Sequence, residues 1–383
     1  MDPFSRDEIE GRWERARQAM TQHGLEALLV VGRSFYDRPG SLAYLSGHLP
    51  PFPTGAFVGE VRGLGHAALV LPREGDPALV VDSAHWRRDR VAVSDVRPSL
   101  DEPHAVATVL DEKGLGKARL GLVGEDLLPV AFFRALTTEL PGLRVKSADA
   151  LIAGMRTIKS AAEMEAMRRA AQVADAALEA ALAQVQPGAS ERHICGAGIA
   201  AAMEAGADFV RYLRVHTGAW SAWSSRWPPA TERVVADGDL VTLDVIGARD
   251  AYQFDVLRST VAGQPSDEQQ QMLDAALAAT EAAVAAVRPG AACAEVVRVA
   301  QESIDRAGFG QHAARFIGHG IGLETMEEPY LLPGAAGELR EGMVLCIEPG
   351  IYVPERWGCC FEQEVIVTGS GCEVITSTPL RRW

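Results

Sequence analysis

The stretch Gly318-His319-Gly320-Ile321-Gly322-Leu323-Glu324-Thr325-Met326-Glu327-Glu328-Pro329 is the most distinctive in the chain. It places a single histidine between two glycines, directly after the apolar pair Phe316-Ile317. Glycine has no side-chain carbon, so a backbone rich in glycine can approach a bound group closely. His319 is therefore a candidate metal ligand. One histidine alone makes a poor metal site, so this interpretation requires further ligands elsewhere in the chain.

The composition favours a globular protein with two domains. The chain has 383 residues, of which 48% are hydrophobic and 23% charged. Its 51 acidic and 37 basic residues give a formal net charge of −14, which disfavours binding to nucleic acid or to an anionic membrane. No apolar run approaches the length of a membrane span, and no secretory signal pattern is present. With six irregularly spaced cysteines, we expect a cytoplasmic protein whose thiols are reduced.

Residues 1–154 are predicted to form an α/β domain, because short apolar runs alternate with helical segments. The apolar runs are residues 27–31, 67–71, 78–81 and 120–123, and the helical segments include 8–22 and 129–139. None of these helices begins with a glycine-rich phosphate-binding loop, so no nucleotide site is expected here.

A long helix is predicted near the start of the second domain, residues 155–383. Ser160 and Glu163 have the spacing of a capping box, in which each side chain accepts a hydrogen bond from the other residue's backbone amide. Apolar residues then recur at three- and four-residue spacing until Pro187-Gly188. These residues are Met164, Met167, Ala171, Ala174, Leu178 and Leu182.

The end of this helix recurs about a hundred residues later. Residues 179–189 align with residues 281–291, and both segments end in Pro-Gly-Ala. Alanine-rich helices resemble each other by chance, but further helical sequence and then a β-hairpin pattern follow each copy. The second domain is therefore predicted to consist of two related halves.

The hairpin of the first half carries two aspartates. Residues 239–246 and 252–257 are its predicted strands. If the turn centres between Arg249 and Asp250, Asp244 lies directly opposite Asp255, with the two Cβ atoms about 5 Å apart.

The hairpin of the second half carries two glutamates in the same arrangement. Its predicted strands are residues 344–348 and 361–367, joined by a turn around Glu355. This geometry places Glu348 opposite Glu362. Facing carboxylates in apolar strands repel each other and are desolvated, so they destabilise the fold unless cations neutralise them.

Four carboxylates and one histidine suit a pair of divalent ions such as Mn, Fe, Co or Zn. Two such ions, about 3.5–4 Å apart, polarise a carbonyl group and activate a bridging water. Any one of these acids taken alone is more commonly a surface residue on a half-exposed strand.

Taken in order, these motifs resemble the metal-site motifs of the pita-bread metallopeptidases, the group of aminopeptidase P, prolidase and creatinase. The similar segments are Gly318–Leu323, Ile347–Gly350, Asp244 with Asp255 eleven residues on, Phe361-Glu362, and Thr157–Arg168 as the entry helix. The resemblance covers essentially the whole chain. It implies an α+β fold, with an N-terminal α/β creatinase-like domain followed by a pita-bread domain, and a homodimer.

The resemblance also implies a ligand set and a catalytic role for two of its members. The implied ligands of two metal ions are Asp244, Asp255, His319, Glu348 and Glu362. Glu348 is in addition the candidate base for the bridging water, and His319 would hold one ion.

Three positions depart from the peptidase pattern. Met326 stands seven residues after His319, where these peptidases usually have a second histidine that helps bind the substrate carbonyl. Trp227 stands where another histidine usually precedes the first ligand strand. Cys360 stands two residues before Glu362, where arginine is common. The metal ligands therefore match a peptidase better than the surrounding substrate-binding residues do.

Three of the seven tryptophans lie in one eight-residue stretch of an otherwise polar loop. They are Trp220, Trp223 and Trp227. They could form an aromatic wall for an apolar side chain or a cage for a cationic ligand. It is equally reasonable that they pack the loop onto the domain or fill a dimer interface. His216 lies just before this loop and is a candidate for a missing imidazole.

The favoured function is that of a dinuclear metal hydrolase of Xaa-Pro peptidase type, acting on short peptides. One alternative is a non-peptidase enzyme on the same fold, either creatinase-like or dimethylsulfoniopropionate-lyase-like, acting on a small and cationic metabolite. Met326 and the tryptophan cluster favour this alternative. The other alternative is a binding module without catalysis, and the five retained ligands argue against it.

Overall fold

The computed structural model describes residues 2–84 and 86–381. The chain divides into two compact units, Met1–Arg156 and Thr157–Trp383. Both units combine helices and strands, as the predicted α+β class requires. Within the described ranges, no helix has both the length and the hydropathy needed to cross a bilayer. All six cysteines are free thiols.

The first unit is built on one mixed sheet of six strands. Its strands are β1 Ala27–Arg33, β2 His66–Pro72, β3 Ala78–Val81, β4 Asp95–Pro98, β5 Arg119–Val123 and β6 Arg144–Ser147. Its helices are α1 Arg6–His23, α2 Gly40–Ser46, α3 Glu102–Glu112, α4 Val130–Glu139 and α5 Asp149–Thr157. The strand order is β4-β3-β2-β1-β5-β6, with β1 antiparallel to β2 and parallel to β5.

The four apolar runs predicted as strands in this unit are all strands of the sheet. β2 and β3 are buried along their whole length, which explains why their sequences are continuously apolar rather than alternating. Helices α3 and α4 pack on the sheet through Val106, Leu110, Phe132 and Leu136. These contacts form the hydrophobic core of the unit.

The second unit contains the remaining helices and strands. Its helices are α6 Ala161–Leu182, α7 Glu191–Glu204, α8 Asp267–Ala286 and α9 Cys293–Arg306. The strands of its first half are β7 Phe209–Thr217, β8 Leu240–Arg249 and β9 Tyr252–Val261. Those that follow are β10 Gly318–Gly320, β11 Glu327–Tyr330, β12 Val344–Ile347, β13 Gly350–Val353, β14 Trp357–Cys360, β15 Gln363–Val367 and β16 Cys372–Val374.

Helix α6 begins with the predicted capping box. The Glu163 amide donates to Ser160 Oγ at 3.3 Å, and the Ser160 amide donates to Glu163 Oε2 at 3.0 Å. Each bond satisfies a backbone amide that the first turn of a helix leaves without a partner. The helix ends at Leu182, some residues before Pro187-Gly188.

The two halves of this unit share one succession of elements. In each half, two helices are followed by three antiparallel strands, β7-β8-β9 in the first and β10-β12-β15 in the second. The similar segments 179–189 and 281–291 lie at the junction between the two helices of each half. The repeat in the sequence therefore corresponds to a repeat in the structure.

The β8–β9 hairpin turns one residue later than predicted. Arg249 pairs with Tyr252, and the two residues between them both have positive φ, 54° at Asp250 and 72° at Ala251. This is the two-residue turn whose twist matches that of the flanking strands.

The later turn changes the pairing of the two aspartates, so the prediction that they lie directly opposite each other is wrong. Asp244 pairs with Leu257, and Asp255 pairs with Ile246. Because the offset is two residues, both aspartates still lie on one face of the sheet, as diagonal neighbours.

The register of the second hairpin agrees with the prediction. Ile347 lies opposite Gln363 and Gly350 lies opposite Cys360, so Glu348 lies across from Glu362. Neither glutamate belongs to a strand, however. Glu348 follows the last residue of β12, and Glu362 precedes the first residue of β15, where the hydrogen-bonded ladder is interrupted.

Candidate metal centre

The structure brings all five predicted metal ligands into one cluster, in which all but Glu348 are buried. His319 Nε2 lies 3.5 Å from Glu348 Oε1 and 3.7 Å from Asp255 Oδ2. One carboxylate oxygen from each of Asp244, Asp255 and Glu362 lies within 4.8 Å of the other two. The cluster thus joins β8 and β9 of the first half with the ends of β10, β12 and β15 of the second.

The glycines beside His319 are required by the packing of β10. A Cβ atom at Gly318 would lie 2.1 Å from the carbonyl oxygen of Cys346, and one at Gly320 would lie 2.3 Å from that of Glu328. Real Cβ atoms do not approach carbonyl oxygens so closely, so only glycine allows β10 to lie between its two neighbours. The sequence predicts that glycine lets the backbone approach a bound group, and what the structure shows is a close approach to the two neighbouring strands.

The His319 ring is oriented by its own backbone segment. Nδ1 lies 2.9 Å from the carbonyl oxygen of Gly320, which can only accept a hydrogen bond, so Nδ1 carries the proton. Nε2 then presents its lone pair to the carboxylates of Asp255 and Glu348. Burial lowers the pKa of His319 and favours this neutral form, which is the form that binds metal ions.

The four carboxyl groups cannot all be ionised without a cation. Burial raises the pKa of Asp255 and Glu362 well above the ordinary range, and neighbouring carboxylates raise both further. Burial, with Asp244 next to it, raises the pKa of Glu348 to about 8. Burial also raises the pKa of Asp244, against the opposing effect of Arg214.

Two buried oxygens of the cluster show that the residues suit divalent ions. Asp244 Oδ1 and Glu362 Oε1 have no hydrogen-bond partner among residues 2–84 and 86–381. Buried polar atoms in folded proteins are nearly always paired with another polar group, water or an ion. Oxygen donors with one imidazole fit Mn, Fe, Co or Zn.

Arg214 is part of this site, and sequence reasoning did not find it. It lies opposite Asp244 across β7 and β8, with Nη1 2.8 Å from Asp244 Oδ2. The same group donates to the carbonyl oxygen of Ser224 at 3.1 Å, and Nη2 donates to the Tyr212 hydroxyl. A guanidinium group therefore lies beside the carboxylates although Cys360 replaces the arginine that is common in the resembling peptidases.

Cys346 and Glu364 were also missed. Cys346 pairs with His319 on one side and with Glu364 on the other, and both side chains are fully buried. Glu364 Oε1 accepts a hydrogen bond of 2.9 Å from the Asp255 amide. Cys346 lies two residues before Glu348, and Glu364 lies two residues after Glu362. Because side chains alternate between the two faces of a strand, residues two positions from a ligand point to the same face, and this pattern could have identified both.

The predicted substrate-binding tryptophans surround an arginine of the chain itself. The guanidinium carbon of Arg226 lies 4.3 Å from the ring centroid of Trp220 and 4.9 Å from that of Trp223. Trp227 projects outward and is 85% exposed. The aromatic faces of Trp220 and Trp223 are thus in contact with a cation already.

The other two predicted substrate-binding residues lie in different surroundings. His216 is buried on β7, with Nδ1 3.3 Å from the carbonyl oxygen of Trp223, and its Nε2 has no partner within the described ranges. Met326 lies at the end of the segment that follows His319 and is 44% exposed. Neither residue is among the metal-binding groups of the cluster.

Comparison with known protein families agrees with this geometry. Residues 165–369, more than half of the chain, match the family model of metallopeptidase family M24. The chain belongs to this family. Residues 12–158 match the creatinase/prolidase N-terminal domain. The predicted family and the predicted order of its two domains in the fold are thereby confirmed, and membership of family M24 establishes a metal-dependent hydrolase.

Several members of family M24 are similar over most of their length. The Xaa-Pro dipeptidase of Pyrococcus horikoshii is 31% identical over 265 residues, which cover 66% of this chain and 72% of the relative. The probable dipeptidase PepE of Mycobacterium tuberculosis is 30% identical over 320 residues, 82% of this chain and 84% of the relative.

Solved structures of the family have the same fold. The prolidase of Pyrococcus horikoshii superposes with a TM-score of 0.81 at 25% identity, covering 96% of this chain and 99% of that one. The X-Pro aminopeptidase of Thermotoga maritima gives a TM-score of 0.82 at 25% identity, with coverages of 96% and 98%.

Proposed function

We propose that this M24 protein is a dinuclear peptidase that cleaves Xaa-Pro bonds in short peptides, of the prolidase or aminopeptidase P type. The gathering of His319 and four carboxylates in one cluster, with Asp255 and Glu348 facing Nε2 of His319, supports this proposal most directly. Relatives that span most of the chain are named Xaa-Pro dipeptidase or are solved as prolidases, which supports the substrate class.

The residues that would hold two divalent ions are Asp244, Asp255, His319, Glu348 and Glu362. The ions would be Mn, Co, Fe or Zn, all of which accept carboxylate and imidazole donors. When bound, such ions polarise a carbonyl group and make a water molecule more acidic.

Glu348 is the member of the cluster best placed to move a proton. Its side chain is 23% exposed, compared with 9% for Asp244, 10% for Asp255 and 1% for His319. It therefore lies at the open side of the cluster, where the attacking water and the scissile carbonyl must arrive. We propose that a carboxylate oxygen of Glu348 accepts the proton of that water. His319 and Asp255 are more deeply buried than Glu348, so their proposed role is to hold the metal ions and not to transfer a proton.

The residues that would line the substrate are Met326, His216 and the three tryptophans. Met326, Trp223 and Trp227 are the exposed apolar side chains among them, and Met326 and Trp227, which do not contact Arg226, suit contact with an apolar proline ring. Arg226 covers Trp220 and Trp223, so an aromatic cage for a cationic metabolite is not open there. This contact favours a peptide over the creatinase-like or lyase-like alternative.

We also propose a homodimer, which the family resemblance implies, and a cytoplasmic location, which the composition favours. Sedimentation or light scattering of the purified protein tests the first of these. A molar mass of one chain, 41.0 kDa, at all concentrations would contradict the dimer.

The function is tested by loading the metal-free protein with Mn, Co, Fe or Zn and assaying Xaa-Pro dipeptides and Xaa-Pro-Yaa tripeptides. Small quaternary ammonium and guanidino compounds serve as competing substrates. Cleavage of the dipeptides supports a prolidase. Cleavage of the tripeptides without cleavage of the dipeptides supports an aminopeptidase P. A metal-loaded protein that turns over only the cationic compounds would replace the peptidase by the alternative enzyme. Failure to bind any of the four ions would favour the binding module.

A further inference from the structure

We propose that Cys346 is a sixth donor of the metal centre, a thiolate that makes the centre favour Zn²⁺ and Co²⁺ over Mn²⁺. This inference rests on the proposed metal centre and adds a donor type that the five ligands implied by the family resemblance do not include. The sulfur lies among the donors because of the strand register.

The position of Cys346 follows from the pairing of β10, β12 and β15. Cys346 lies opposite His319 on one neighbouring strand and opposite Glu364 on the other. Residues directly opposite in adjacent strands point to the same face of a sheet, so the thiol points to the face that carries the His319 ring. Glu348, two residues further along the chain, follows on that side.

The distances place the thiol within a possible ligand set. The sulfur of Cys346, one ring nitrogen of His319 and one carboxylate oxygen of Glu362 all lie within 4.8 Å of one another. All three side chains are buried, so these donors are enclosed together. A nitrogen, an oxygen and a sulfur donor therefore lie close together, and Glu362 also belongs to a second such group with Asp244 and Asp255.

The Cys346 thiol has no strong hydrogen bond that would commit it to another role. Its S–H donates to the carbonyl oxygen of Asp255, with the sulfur 3.7 Å from that oxygen. This is a weak interaction for a thiol. A thiol binds a metal ion as the thiolate, so the Cys346 proton must leave when the ion binds. The sulfur–metal bond then forms as the proton passes to the buffer.

The donor type determines which ion is preferred. Mn²⁺ is best served by carboxylate, carbonyl and water oxygens, whereas a thiolate favours softer ions such as Zn²⁺. An oxygen-rich centre with one thiolate therefore binds Zn²⁺ and Co²⁺ more tightly than the same centre with a hydroxyl group at that position. Cys346→Ser makes this comparison, since serine keeps a side-chain hydrogen-bond donor at this position and removes the sulfur.

Cobalt substitution tests the sulfur directly. Metal-free protein is loaded with Co²⁺ without oxygen, and its near-ultraviolet spectrum is recorded for the thiolate-to-cobalt charge-transfer band. We expect the band in the unmutated protein and its loss in Cys346→Ser, with the visible cobalt bands retained. Cys359→Ala is the matched control, because Cys359 is equally buried but donates to the carbonyl oxygen of Met272 on α8 at 3.6 Å. It should keep the band.

Metal titrations give a second measurement. In Cys346→Ser, the affinity for Zn²⁺ should fall at least about 10-fold, and that for Mn²⁺ should change much less. Circular dichroism of each variant checks that it is folded. A cobalt protein without the band, or a band that survives in Cys346→Ser, would overturn the proposal. Xaa-Pro cleavage is measured separately. A protein that shows the band but cleaves no Xaa-Pro peptide would support the thiolate ligand and contradict the proposed function. A protein that cleaves these peptides but lacks the band would support the proposed function and contradict the thiolate ligand.

Discussion

Arg214 and Asp244 face each other across β7 and β8, and Nη1 of the arginine lies 2.8 Å from Oδ2 of the aspartate. Both side chains are largely buried, at 18% and 9% exposure. The ion pair holds one oxygen of Asp244 and leaves Oδ1 without a partner within the described ranges. Arg214 thus orients a candidate metal ligand and keeps its second oxygen available.

Replacing Arg214 with methionine should move metal binding to higher pH. Arg214 lowers the pKa of Asp244 against the raising effect of burial, so its loss makes a proton compete better with the metal ion. We expect the pH midpoint of Mn²⁺ binding to rise by about one unit. Isothermal titration between pH 5 and pH 9 measures it. Arg211→Met, on the same strand but exposed, is the control, and an equal midpoint in all three proteins would contradict the role of Arg214.

Asp255→Asn should remove metal and at the same time stabilise the metal-free protein. Burial and the neighbouring carboxylates raise the pKa of Asp255, so its charge is unfavourable at pH 8 when no cation is present. The neutral amide removes that cost, and Tm of the metal-free variant should rise by about 2–4 °C for each kcal/mol gained. Addition of metal should then stabilise the unmutated protein only.

Asp250→Asn is the matched control for Asp255→Asn. Asp250 lies in the turn of the same hairpin with φ 54°, a conformation that asparagine adopts readily, and its ion pair with Arg169 is exposed. Metal content by atomic spectroscopy and thermal unfolding are measured for both variants. Equal metal content in Asp255→Asn and the unmutated protein would contradict the assigned ligand.

The parts of the fold that could be predicted are those encoded by local chemistry. The capping box fixes the start of α6, because Ser160 and Glu163 satisfy each other's backbone amides. The buried strands of the first unit are recognisable because both faces of the sheet are covered and the sequence is continuously apolar. Neither inference requires knowledge of distant residues.

The register of the β8–β9 hairpin could not be predicted. Its turn places positive φ at Asp250 and Ala251, and alanine rarely adopts this conformation. The turn therefore lacks the glycine or asparagine that marks such positions. One residue of error in the turn moved the pairing of Asp244 by two positions and left the face unchanged, which explains why the ligand cluster was still recognised.

Arg214 and Arg226 could not be predicted, because both act through non-local contacts. The pairing of Arg214 with Asp244 depends on the register between β7 and β8, which shifts between Val210 and Tyr212. The tryptophan cluster indicates a cation without identifying it, and here the cation is Arg226. A sequence that contains many arginines does not tell which of them meets an aromatic ring.

Arg226→Ala should open the tryptophan cluster to cationic ligands. Without the guanidinium group, the faces of Trp220 and Trp223 are free to bind a quaternary ammonium ion by cation–π attraction. We expect tetramethylammonium to bind at least about threefold more tightly than in the unmutated protein. Quenching of tryptophan fluorescence measures it. Arg192→Ala, an exposed arginine paired with Glu232, is the control, and equal affinities in all three proteins would contradict the cage.

Lys159→Met should destabilise the second unit strongly. Lys159 Nζ lies 3.1 Å from Glu327 Oε2, with both side chains buried, and Glu327 Oε1 accepts the amide of Glu324 at 3.1 Å. Loss of the lysine leaves a buried carboxylate without its counter-charge, which costs about 3–5 kcal/mol of unfolding free energy. Urea unfolding measures this. The double variant Lys159→Met/Glu327→Gln should recover part of the loss, and Lys146→Met on exposed β6 should cost little. A double variant no more stable than the single one would contradict the ion-pair explanation.

Glu102 is a buried acid of the first unit that should make stability depend on pH. It is the first residue of α3, and neither of its carboxyl oxygens has a hydrogen-bond partner among the described residues. Burial raises the pKa of Glu102 well above the ordinary range, and the nearby Asp82 raises it further. The folded state therefore binds this proton more strongly than the unfolded chain does.

The sign of the effect follows from that difference. The stability that protonated Glu102 contributes is fully present below the unfolded pKa near 4.5 and is lost as the pH rises through the raised folded pKa. Glu102→Gln stays neutral at every pH, so its Tm relative to the unmutated protein should rise between pH 5 and pH 9. His48 and His66, whose pKa values burial lowers to about 4, affect both proteins equally and cancel in the comparison. Glu74→Gln, at a highly exposed acid, should show no such rise, and a flat difference for Glu102→Gln would mean that the carboxyl group is solvated or paired in solution.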